Sequence, residues 1–241
     1  MFLDFFLFHP TKLSREHVFS FPVPFTEYFL KTPDGAEINV LWFHSPQPRG
    51  LILYFHGNAD DLSRWGKMAE DFLHLNYDVM MMDYRGFGKS TGKLSESILH
   101  ADGKIFYNHA LQHFPAEKIV IYGRSLGTGI ATRLAAEVPS AQLILETPFY
   151  NLPELLLRYI PFIGSKIPWA YQFRSDEYIQ QVKVPLTIFH GTEDEVVPYK
   201  EGKKFEALLG ERVRFVTLHG GKHKNLSEYP LYHEVLAEVL G

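Results

Sequence analysis

The chain has 241 residues, of which 46% are hydrophobic and 22% charged, and this is enough apolar content for the core of one globular domain. Its 24 basic and 28 acidic residues give a net charge of −4. Because the basic residues are scattered, no nucleic-acid partner is expected. The absence of cysteine excludes a disulfide framework, a thiolate metal site and a cysteine nucleophile. We expect one domain over residues 1–241.

The first eight residues are apolar and end just before a His-Pro pair. A membrane-spanning helix needs roughly 20 apolar residues, and the features of a signal peptide are missing. We expect this segment to pack on the domain, or to be an interfacial patch or the remnant of a removed anchor. The expected location is the cytoplasm, or a membrane surface if the segment binds peripherally or an N-terminal anchor has been removed.

From Thr26 onward, short apolar runs alternate with runs of helical periodicity. This alternation predicts a mostly parallel central sheet flanked by helices. The first two strands flank the turn signal at residues 33–35, so they should form an antiparallel hairpin at one edge. The later runs are continuously apolar, as in strands buried on both faces. The eight predicted strands cover residues 27–30, 38–42, 51–55, 79–82, 119–122, 143–145, 186–189 and 213–218.

Helical spacing of apolar residues predicts helices between these strands. The predicted helices lie in residues 62–73, 98–109 and 130–138, and two more follow prolines 198 and 230. Proline is favoured in the first turn of a helix, so these two positions mark helix starts.

Ser125 lies in the sequence Gly-Arg-Ser-Leu-Gly, directly after a predicted strand and before a helical apolar stripe. A strand-to-helix turn of this type exposes a nucleophilic serine. Gly123 and Gly127 would allow strand and helix to approach closely around strained backbone at the serine. The alternative is a helix-capping serine in a glycine-rich turn.

A serine hydroxyl needs a base, and the base needs an orienting carboxylate. Three consecutive acids follow the strand at 186–189. We choose Asp194 as the carboxylate, with Glu193 and Glu195 as alternatives. A solvated acidic turn at a helix start is the other interpretation of this loop.

His223 is our candidate for the base, because it lies in a glycine-containing loop between the strand at 213–218 and the last helix. His219 is closer to the strand end and is the alternative, with a structural role in the preferred interpretation. The two histidines are four residues apart, but the glycines between them disfavour a shared helical face, so zinc binding is discounted. We expect neither a metal nor a cofactor.

Acyl transfer also requires hydrogen-bond donors for the oxyanion of the tetrahedral intermediate. The backbone amide of Leu126 follows the nucleophile, and the loop after the strand at 51–55 should supply the second donor. We assign this second donor to the amide of Asn58, with Gly57 allowing close approach. His56 is interpreted as a structural brace.

These motifs, in this order, resemble those of the α/β-hydrolase superfamily. The resemblance covers the chain from about Glu27 to its end, and the His-Gly-Asn-Ala turn at 56–59 and the segment 83–90 look most like the Bem46-like branch. It implies the α/β-hydrolase fold, chemistry on esters, thioesters or peptides, and in many relatives an N-terminal membrane anchor. It also implies that Asp83 and Arg85 form a structural charged pair below the site.

Residues 149–182 lie between two predicted strands, whereas such connections usually have roughly 2 to 6 residues. We expect a small inserted cap whose apolar side chains either face the nucleophile, where they would suit an acyl chain, or pack on the domain. Charged substrates are disfavoured, although a cation could bind a carboxylate or phosphate at the rim. The candidates for this cation are Arg158, Lys166 and Arg174.

The sequence therefore predicts a serine hydrolase that cleaves carboxylic esters of apolar acyl groups through an acyl-enzyme intermediate. A thioesterase or serine peptidase with the same residues is the alternative, since the three residues do not distinguish leaving groups. A catalytically silent binding protein is a third hypothesis. An aspartate nucleophile is disfavoured, because position 125 is serine. The expected partner is a small acyl ester or thioester, and the oligomeric state is not predicted.

Overall fold

The computed structural model describes residues 8–159 and 170–241. Eight strands in these ranges form one sheet: β1 Phe25–Lys31, β2 Glu37–Phe43, β3 Gly50–Phe55, β4 Tyr77–Met82, β5 Ile119–Arg124, β6 Gln142–Glu146, β7 Leu186–Gly191 and β8 Val213–Leu218. Their spatial order is β1-β2-β4-β3-β5-β6-β7-β8. Strands β3 to β8 are parallel, and β2 pairs antiparallel with both β1 and β4. The predicted fold class is confirmed.

The antiparallel edge is the predicted hairpin. β1 and β2 pair from Phe25 opposite Phe43 to Lys31 opposite Glu37. Gly35 in the connecting turn has a φ of 82°, a conformation that glycine adopts without steric cost. The turn chemistry of the sequence therefore fixes the register of this edge.

The central strands are buried on both faces, which explains their continuous apolar runs. In β3, Leu51, Leu53 and Phe55 belong to the core on one side of the sheet, whereas Ile52 and Tyr54 belong to the core on the other side. Side chains along a strand alternate between its faces, so one short run contributes to two cores.

Helices cover both cores. Those in the described ranges are α1 Leu62–Trp65, α2 Glu70–Leu73, α3 Glu96–Ala110, α4 Leu126–Glu137, α5 Leu152–Tyr159, α6 Ser175–Tyr178, α7 Tyr199–Leu209 and α8 Pro230–Leu240. No helix within these ranges is both long enough and apolar enough to cross a membrane.

The structure is helical over residues 62–73, as the spacing predicts, but the middle turn is not α-helical. Here α1 and α2 have four residues each and are joined by the 3₁₀ segment Gly66–Ala69. A Cβ atom on Gly66 would lie 2.4 Å from the ring of Phe21 and 2.8 Å from that of Phe43. This close packing requires glycine, and glycine is a poor helix former, so the helix tightens at that point.

The inserted segment, residues 149–182, connects β6 to β7 and contains α5 and α6. Several of its aromatic and leucine side chains are buried in the same core as Leu51, Leu53 and Phe55 of β3. Part of the apolar surface of the segment therefore packs on the domain. The buried side chains are Phe149, Leu152, Leu155, Tyr171 and Phe173. Residues 160–169 of the predicted cap lie outside the described ranges, and among them are Ile160, Phe162, Ile163, Lys166, Ile167 and Trp169.

The N-terminal apolar stretch enters the described ranges at Phe8, whose side chain is buried; residues 1–7 lie outside them. From Phe8 the chain continues as an extended segment, residues 8–13, which forms isolated β-bridges from Pro10 to Asp60 and from Lys12 to Gly88. This segment therefore lies beside two loops, one after β3 and one after β4, at the carboxyl ends of the parallel strands.

Candidate active site

Ser125 occupies the turn between β5 and α4. Its φ of 51° and ψ of −116° are unusual for a residue with a side chain. Its backbone N–H donates to the carbonyl of Glu146 at 2.9 Å, which ties the turn to the end of the neighbouring strand β6. Strained backbone of this kind persists only where the surrounding structure holds it.

The glycines on either side of Ser125 are required by close backbone contacts. A Cβ atom on Gly123 would lie 2.7 Å from the Gly127 carbonyl oxygen, and one on Gly127 would lie 2.0 Å from the carbonyl oxygen of Phe55. No side chain fits at such distances. The start of α4 can therefore lie against the end of β3 only if position 127 is glycine.

Three side chains from separate loops form a continuous hydrogen-bonded path. His223 Nε2 lies 3.0 Å from Ser125 Oγ, and His223 Nδ1 lies 2.8 Å from Asp194 Oδ2. Because a carboxylate only accepts, Nδ1 carries the hydrogen and Nε2 is left to accept the hydrogen of the serine hydroxyl. This arrangement can activate a serine hydroxyl for attack on a carbonyl.

Asp194 is held by its own loop. Its Oδ1 accepts hydrogen bonds from the backbone N–H groups of Val196 at 2.8 Å and Val197 at 2.7 Å, and its side chain is fully buried. The alternative acids Glu193 and Glu195 are exposed. Of the three acids, Asp194 is the one hydrogen-bonded to His223.

His223 is half-buried, whereas the alternative base His219 is exposed at the end of β8. The loop of His223 is also held through its main chain, since Arg124 Nη2 donates to the His223 carbonyl at 3.2 Å. In the described ranges, no group of three histidine, aspartate or glutamate side chains is arranged to hold a metal ion.

The two predicted oxyanion donors belong to segments that meet beside the serine. Asn58 and Leu126 line the same cavity as Ser125, and a Cβ atom on Gly57 would lie 3.5 Å from the Ser125 Cβ. Leu126 is the first residue of α4, where backbone N–H groups have no partner within the helix. Both segments can therefore direct amides toward an oxygen bound at Ser125.

His56 is buried below this loop. Its Nδ1 lies 2.7 Å from the Gly57 carbonyl, its Nε2 lies 3.5 Å from Asp83 Oδ1, and its carbonyl accepts from the Tyr84 hydroxyl at 2.7 Å. These contacts are those of a structural brace.

The expectation that Asp83 and Arg85 pair with each other is wrong. Asp83 lies against His56 and accepts from the Leu62 N–H at 3.3 Å, and burial raises the pKa of its carboxyl group. Arg85 instead binds Asp102, with Nε to Oδ2 at 2.7 Å, and also Asp34. The two residues are separated only by Tyr84, and their side chains serve different networks.

Sequence reasoning missed Arg124, the residue before the nucleophile. Its side chain is buried, with Nε 3.2 Å from Glu146 Oε1, and Glu146 Oε2 accepts from the Tyr122 hydroxyl at 2.6 Å. Burial opposes the charge, but Glu146 raises the pKa of Arg124. This ion pair links the ends of β5 and β6 to the His223 loop. The sequence signal that could have identified Arg124 is a charged residue at the end of an apolar predicted strand.

His190 was also missed. It is buried at the end of β7, its Nε2 donates to the Val197 carbonyl at 2.8 Å, and the same atom lies 3.6 Å from Asp194 Oδ2. Burial lowers the pKa of His190. A neutral His190 therefore holds the Asp194 loop without adding a cation beside it.

A cavity of about 440 Å³ opens beside Ser125 and His223. One wall is apolar, whereas Arg64, Lys224 and Glu195 place charges along the lining. The apolar lining residues in the described ranges are Phe8, Ala59, Trp65, Leu126, Phe149, Leu152, Leu155, Leu156, Tyr159, Val196 and Val197. The inserted segment therefore both packs on the domain and faces the nucleophile.

Two of the three cations predicted at the rim, Arg158 and Arg174, do not line the cavity. Arg174 is paired with Asp176 and Glu177, and Arg158 is exposed. Lys166 lies outside the described ranges, so its place at the rim stays a prediction.

Tyr159, at the end of α5, contacts the Asp194 loop. Its hydroxyl lies 2.8 Å from the Glu195 carbonyl and 2.7 Å from the Val196 carbonyl, and burial raises its pKa. The inserted segment is thus hydrogen-bonded to the loop that carries the candidate acid.

The chain is similar in sequence to known hydrolases. It is 32% identical over 230 residues to the lysophosphatidylserine lipase ABHD12 of Danio rerio, covering 82% of this chain and 59% of the relative. It is 32% identical over 199 residues to the α/β hydrolase domain-containing protein aho-3 of Caenorhabditis elegans, covering 81% of this chain and 58% of that protein. The chain thus spans less than two thirds of these relatives.

The fold is also that of solved structures. An esterase of Pyrococcus furiosus, Pf2001, superposes with a TM-score of 0.77 at 19% identity, covering 96% of this chain and 98% of that one. The family model described as serine aminopeptidase, S33, matches residues 46–176, more than half of the chain. With the nucleophile turn and eight-stranded sheet described above, this match shows that the chain belongs to the serine aminopeptidase S33 family of the α/β-hydrolase superfamily of serine hydrolases.

Proposed function

We propose that this protein hydrolyses carboxylic esters of apolar acyl groups, with Ser125 as nucleophile, His223 as base and Asp194 as orienting acid. The proposal rests on the hydrogen-bonded path from Asp194 through His223 to Ser125 beside an apolar cavity. Relatives named as a lipase and an esterase support ester hydrolysis.

In the first half-reaction, His223 Nε2 takes the hydroxyl proton as Ser125 Oγ attacks the ester carbonyl carbon. The carbonyl oxygen becomes an oxyanion, which the backbone amides of Asn58 and Leu126 stabilise. Asp194 stabilises the imidazolium and keeps its orientation. When the carbon–oxygen bond to the alcohol breaks, His223 gives the proton to the leaving alkoxide and the acyl group remains on Ser125.

In the second half-reaction, a water molecule takes the place of the alcohol. His223 removes its proton as it attacks the acyl carbon, the same amides bind the new oxyanion, and the proton returns to Ser125 Oγ as the acid leaves. A thioester would follow the same steps with a thiolate as leaving group.

The lining of the cavity supports an acyl chain that lies against the inserted segment. Each buried methylene contributes about 0.8 kcal/mol, so the apolar wall favours longer chains. We propose that residues 149–182 act as a cap within one domain over residues 1–241. Lys224 on the lining suits an anionic or polar head group, in keeping with relatives named lysophosphatidylserine lipases. The second lining cation, Arg64, is paired with Asp60.

The family model's description makes an aminopeptidase the second candidate. Recognition of a peptide α-ammonium group calls for a carboxylate near the scissile bond. In the described lining, Glu195 is accompanied by the cations Arg64, Arg124 and Lys224, and Glu195 is exposed. This charge distribution favours esters over free N-terminal peptides.

Covalent labelling by a fluorophosphonate tests the nucleophile. Wild type should label, and Ser125→Ala should lose labelling and ester hydrolysis together. Ser97→Ala, at an exposed position of α3, is the matched control and should behave as wild type. Equal labelling of wild type and Ser125→Ala would refute the assignment.

The substrate class is tested by rates on p-nitrophenyl esters of increasing acyl length, the matching acyl thioesters and aminoacyl p-nitroanilides. We expect kcat/KM to rise with acyl length for the esters and to stay low for the anilides. Faster hydrolysis of the anilides would favour the aminopeptidase instead.

A further inference from the structure

The extended segment of residues 8–13 is bonded directly to the loop that carries Asn58. The Asp60 N–H donates to the His9 carbonyl at 3.1 Å, and the Thr11 N–H donates to the Asp60 carbonyl at 3.2 Å. The His9 N–H donates to Asn58 Oδ1 at 3.2 Å. Residues nearly fifty positions apart in sequence are thus joined at the candidate oxyanion site.

The same segment is also bonded to the loop after β4. The Gly88 N–H donates to the Thr11 carbonyl at 2.8 Å, and the Leu13 N–H donates to the Gly88 carbonyl at 2.9 Å. Since β4 and β3 are neighbours in the sheet, residues 8–13 connect two adjacent loops at the same edge of the sheet.

The loop held in this way is strained. Ala59 and Asp60, directly after Asn58, have φ values of 147° and 59°, a region that residues with a Cβ rarely adopt. Such residues are strained and need support from their surroundings. Part of this support is the Trp65 Nε1–H, which donates to the Ala59 carbonyl at 2.8 Å, and Asp60 is held on both sides by residues 8–13.

Phe8 fixes the start of the segment. Its ring lies 4.9 Å from the Tyr171 ring centroid and 6.5 Å from that of Phe87, edge-on in both cases. It is 6% exposed and lines the cavity. The segment is therefore anchored in the core at the point where it reaches the Asn58 loop.

We propose that the main-chain groups of His9 and Thr11 are a positioning element of the oxyanion hole, because their hydrogen bonds hold the Asn58 loop in the conformation that presents its backbone amide to the oxyanion. The proposal rests on the function proposed above. An oxyanion donor is effective only if it is fixed before the charge develops. Loosening the segment should therefore weaken binding of the transition state more than binding of the substrate.

Thr11→Pro tests this proposal, because proline removes the N–H that donates to Asp60. Lys12→Pro is the matched control, since the Lys12 N–H takes part in none of these bonds. For Thr11→Pro we expect kcat to fall by about 10²-fold, the range found for loss of an oxyanion donor, with KM changed by less than about twofold. Lys12→Pro should stay close to wild type.

Affinity for a boronic acid, which forms a tetrahedral adduct with the serine, provides a second readout. Its affinity should fall in Thr11→Pro by the same factor as kcat/KM, whereas affinity for the product carboxylic acid should not change. Thermal unfolding of both proline variants shows whether each is folded at the assay temperature. His9→Pro removes the bond to the Asn58 side chain together with an imidazole that lines the cavity, and it should show the same pattern with about a 10-fold loss.

Wild-type kcat in folded Thr11→Pro and His9→Pro would overturn the proposal. Equal losses of boronic acid and product affinity would also overturn it, because they would indicate general damage to the cavity. If wild type itself neither hydrolyses esters nor binds the boronic acid, the proposed function fails first and this proposal falls with it.

Discussion

Asp194 differs from its two acidic neighbours in the contacts of its carboxylate. One oxygen binds His223 and the other accepts two backbone N–H groups, whereas Glu193 and Glu195 extend into solvent. A carboxylate held by these donors keeps the imidazole in one orientation and one tautomer. Among the three acids of this loop, Asp194 alone should therefore be needed to orient His223.

We predict that Asp194→Asn lowers kcat by about 10⁴-fold, because an amide can stabilise the wrong histidine tautomer. Glu193→Gln is the matched control and should retain wild-type kcat. Steady-state hydrolysis of a p-nitrophenyl ester measures both. A large loss in Glu193→Gln with little loss in Asp194→Asn would transfer the role to Glu193.

His190 gives the protein a stability that depends on pH. Burial lowers its pKa below the ordinary value of 6.5, so between these two values the unfolded chain binds a proton that the folded protein does not. The free energy of unfolding must therefore rise with pH in that window and fall as the pH drops below 6.5.

We predict that His190→Gln reduces this slope by up to about 1.4 kcal/mol per pH unit in the window directly below pH 6.5. The variant should also be less stable at neutral pH, since the bond to the Val197 carbonyl is altered. Urea unfolding of wild type and variant at several pH values measures both effects. An unchanged slope would mean that another group titrates in this window.

The first turn of α4 positions Ser125 through its close contact with the end of β3. Position 127 faces the main chain of β3, which cannot move aside. We predict that Gly127→Ala lowers the free energy of unfolding by about 3 kcal/mol or more. Gly129→Ala is the control in the same helix. The three atoms nearest to its added Cβ all belong to the Phe173 side chain, at 2.7 to 3.1 Å. A side chain gives way more readily than main chain, so the loss should be smaller than for Gly127→Ala, about 1 to 2 kcal/mol.

Chemical denaturation of both variants measures this difference. Similar losses for the two would show that the contact between α4 and the end of β3 is looser than the distances indicate. A loss of activity in Gly127→Ala larger than its unfolded fraction explains would show that the turn at Ser125 has moved as well.

Helix α5 supplies part of the apolar cavity wall. We predict that Leu156→Trp fills this space and lowers kcat/KM for long-chain esters, while acetate esters are hydrolysed at near wild-type rates. Loss of room for four methylenes corresponds to about 3 kcal/mol of binding. Leu157→Trp is the matched control, because Leu157 is on the same helix but does not line the cavity.

An acyl-length profile for wild type and both variants measures this effect. If Leu156→Trp lowers the rates for all esters equally, α5 does not contact the acyl chain. If Leu157→Trp shifts the profile in the same way, the helix as a whole has moved and the wall residue is not identified.

Across the whole molecule, the features that follow from local patterns were predictable. Strands buried on both faces produce continuous apolar runs, and the hairpin has a turn signal, so each of the eight strands could be assigned to within about two residues of its bounds. The order in which Ser125, Asp194 and His223 occur along the chain was enough to nominate them. The structure brings them within hydrogen-bonding distance, and their catalytic roles stay predictions.

The features that depend on distant contacts were not predictable. The 3₁₀ turn that begins at Gly66 depends on the rings of Phe21 and Phe43, which are far from it in sequence. Arg85 binds Asp34 and Asp102, although Asp83 is nearer along the chain. Residues 8–13 carry no motif at all, since their bonds to the Asn58 loop are made by the main chain.

The hydroxyl of Tyr159 has a consequence for engineering and for divergence among relatives. Because it binds two carbonyl groups of the loop that holds Asp194, residues 149–182 are not an interchangeable module. A chimera that takes this segment from another hydrolase would exchange the acyl pocket and remove a support of the acid at the same time. Grafts that keep a tyrosine at position 159 should therefore retain activity that otherwise well-fitting grafts lose.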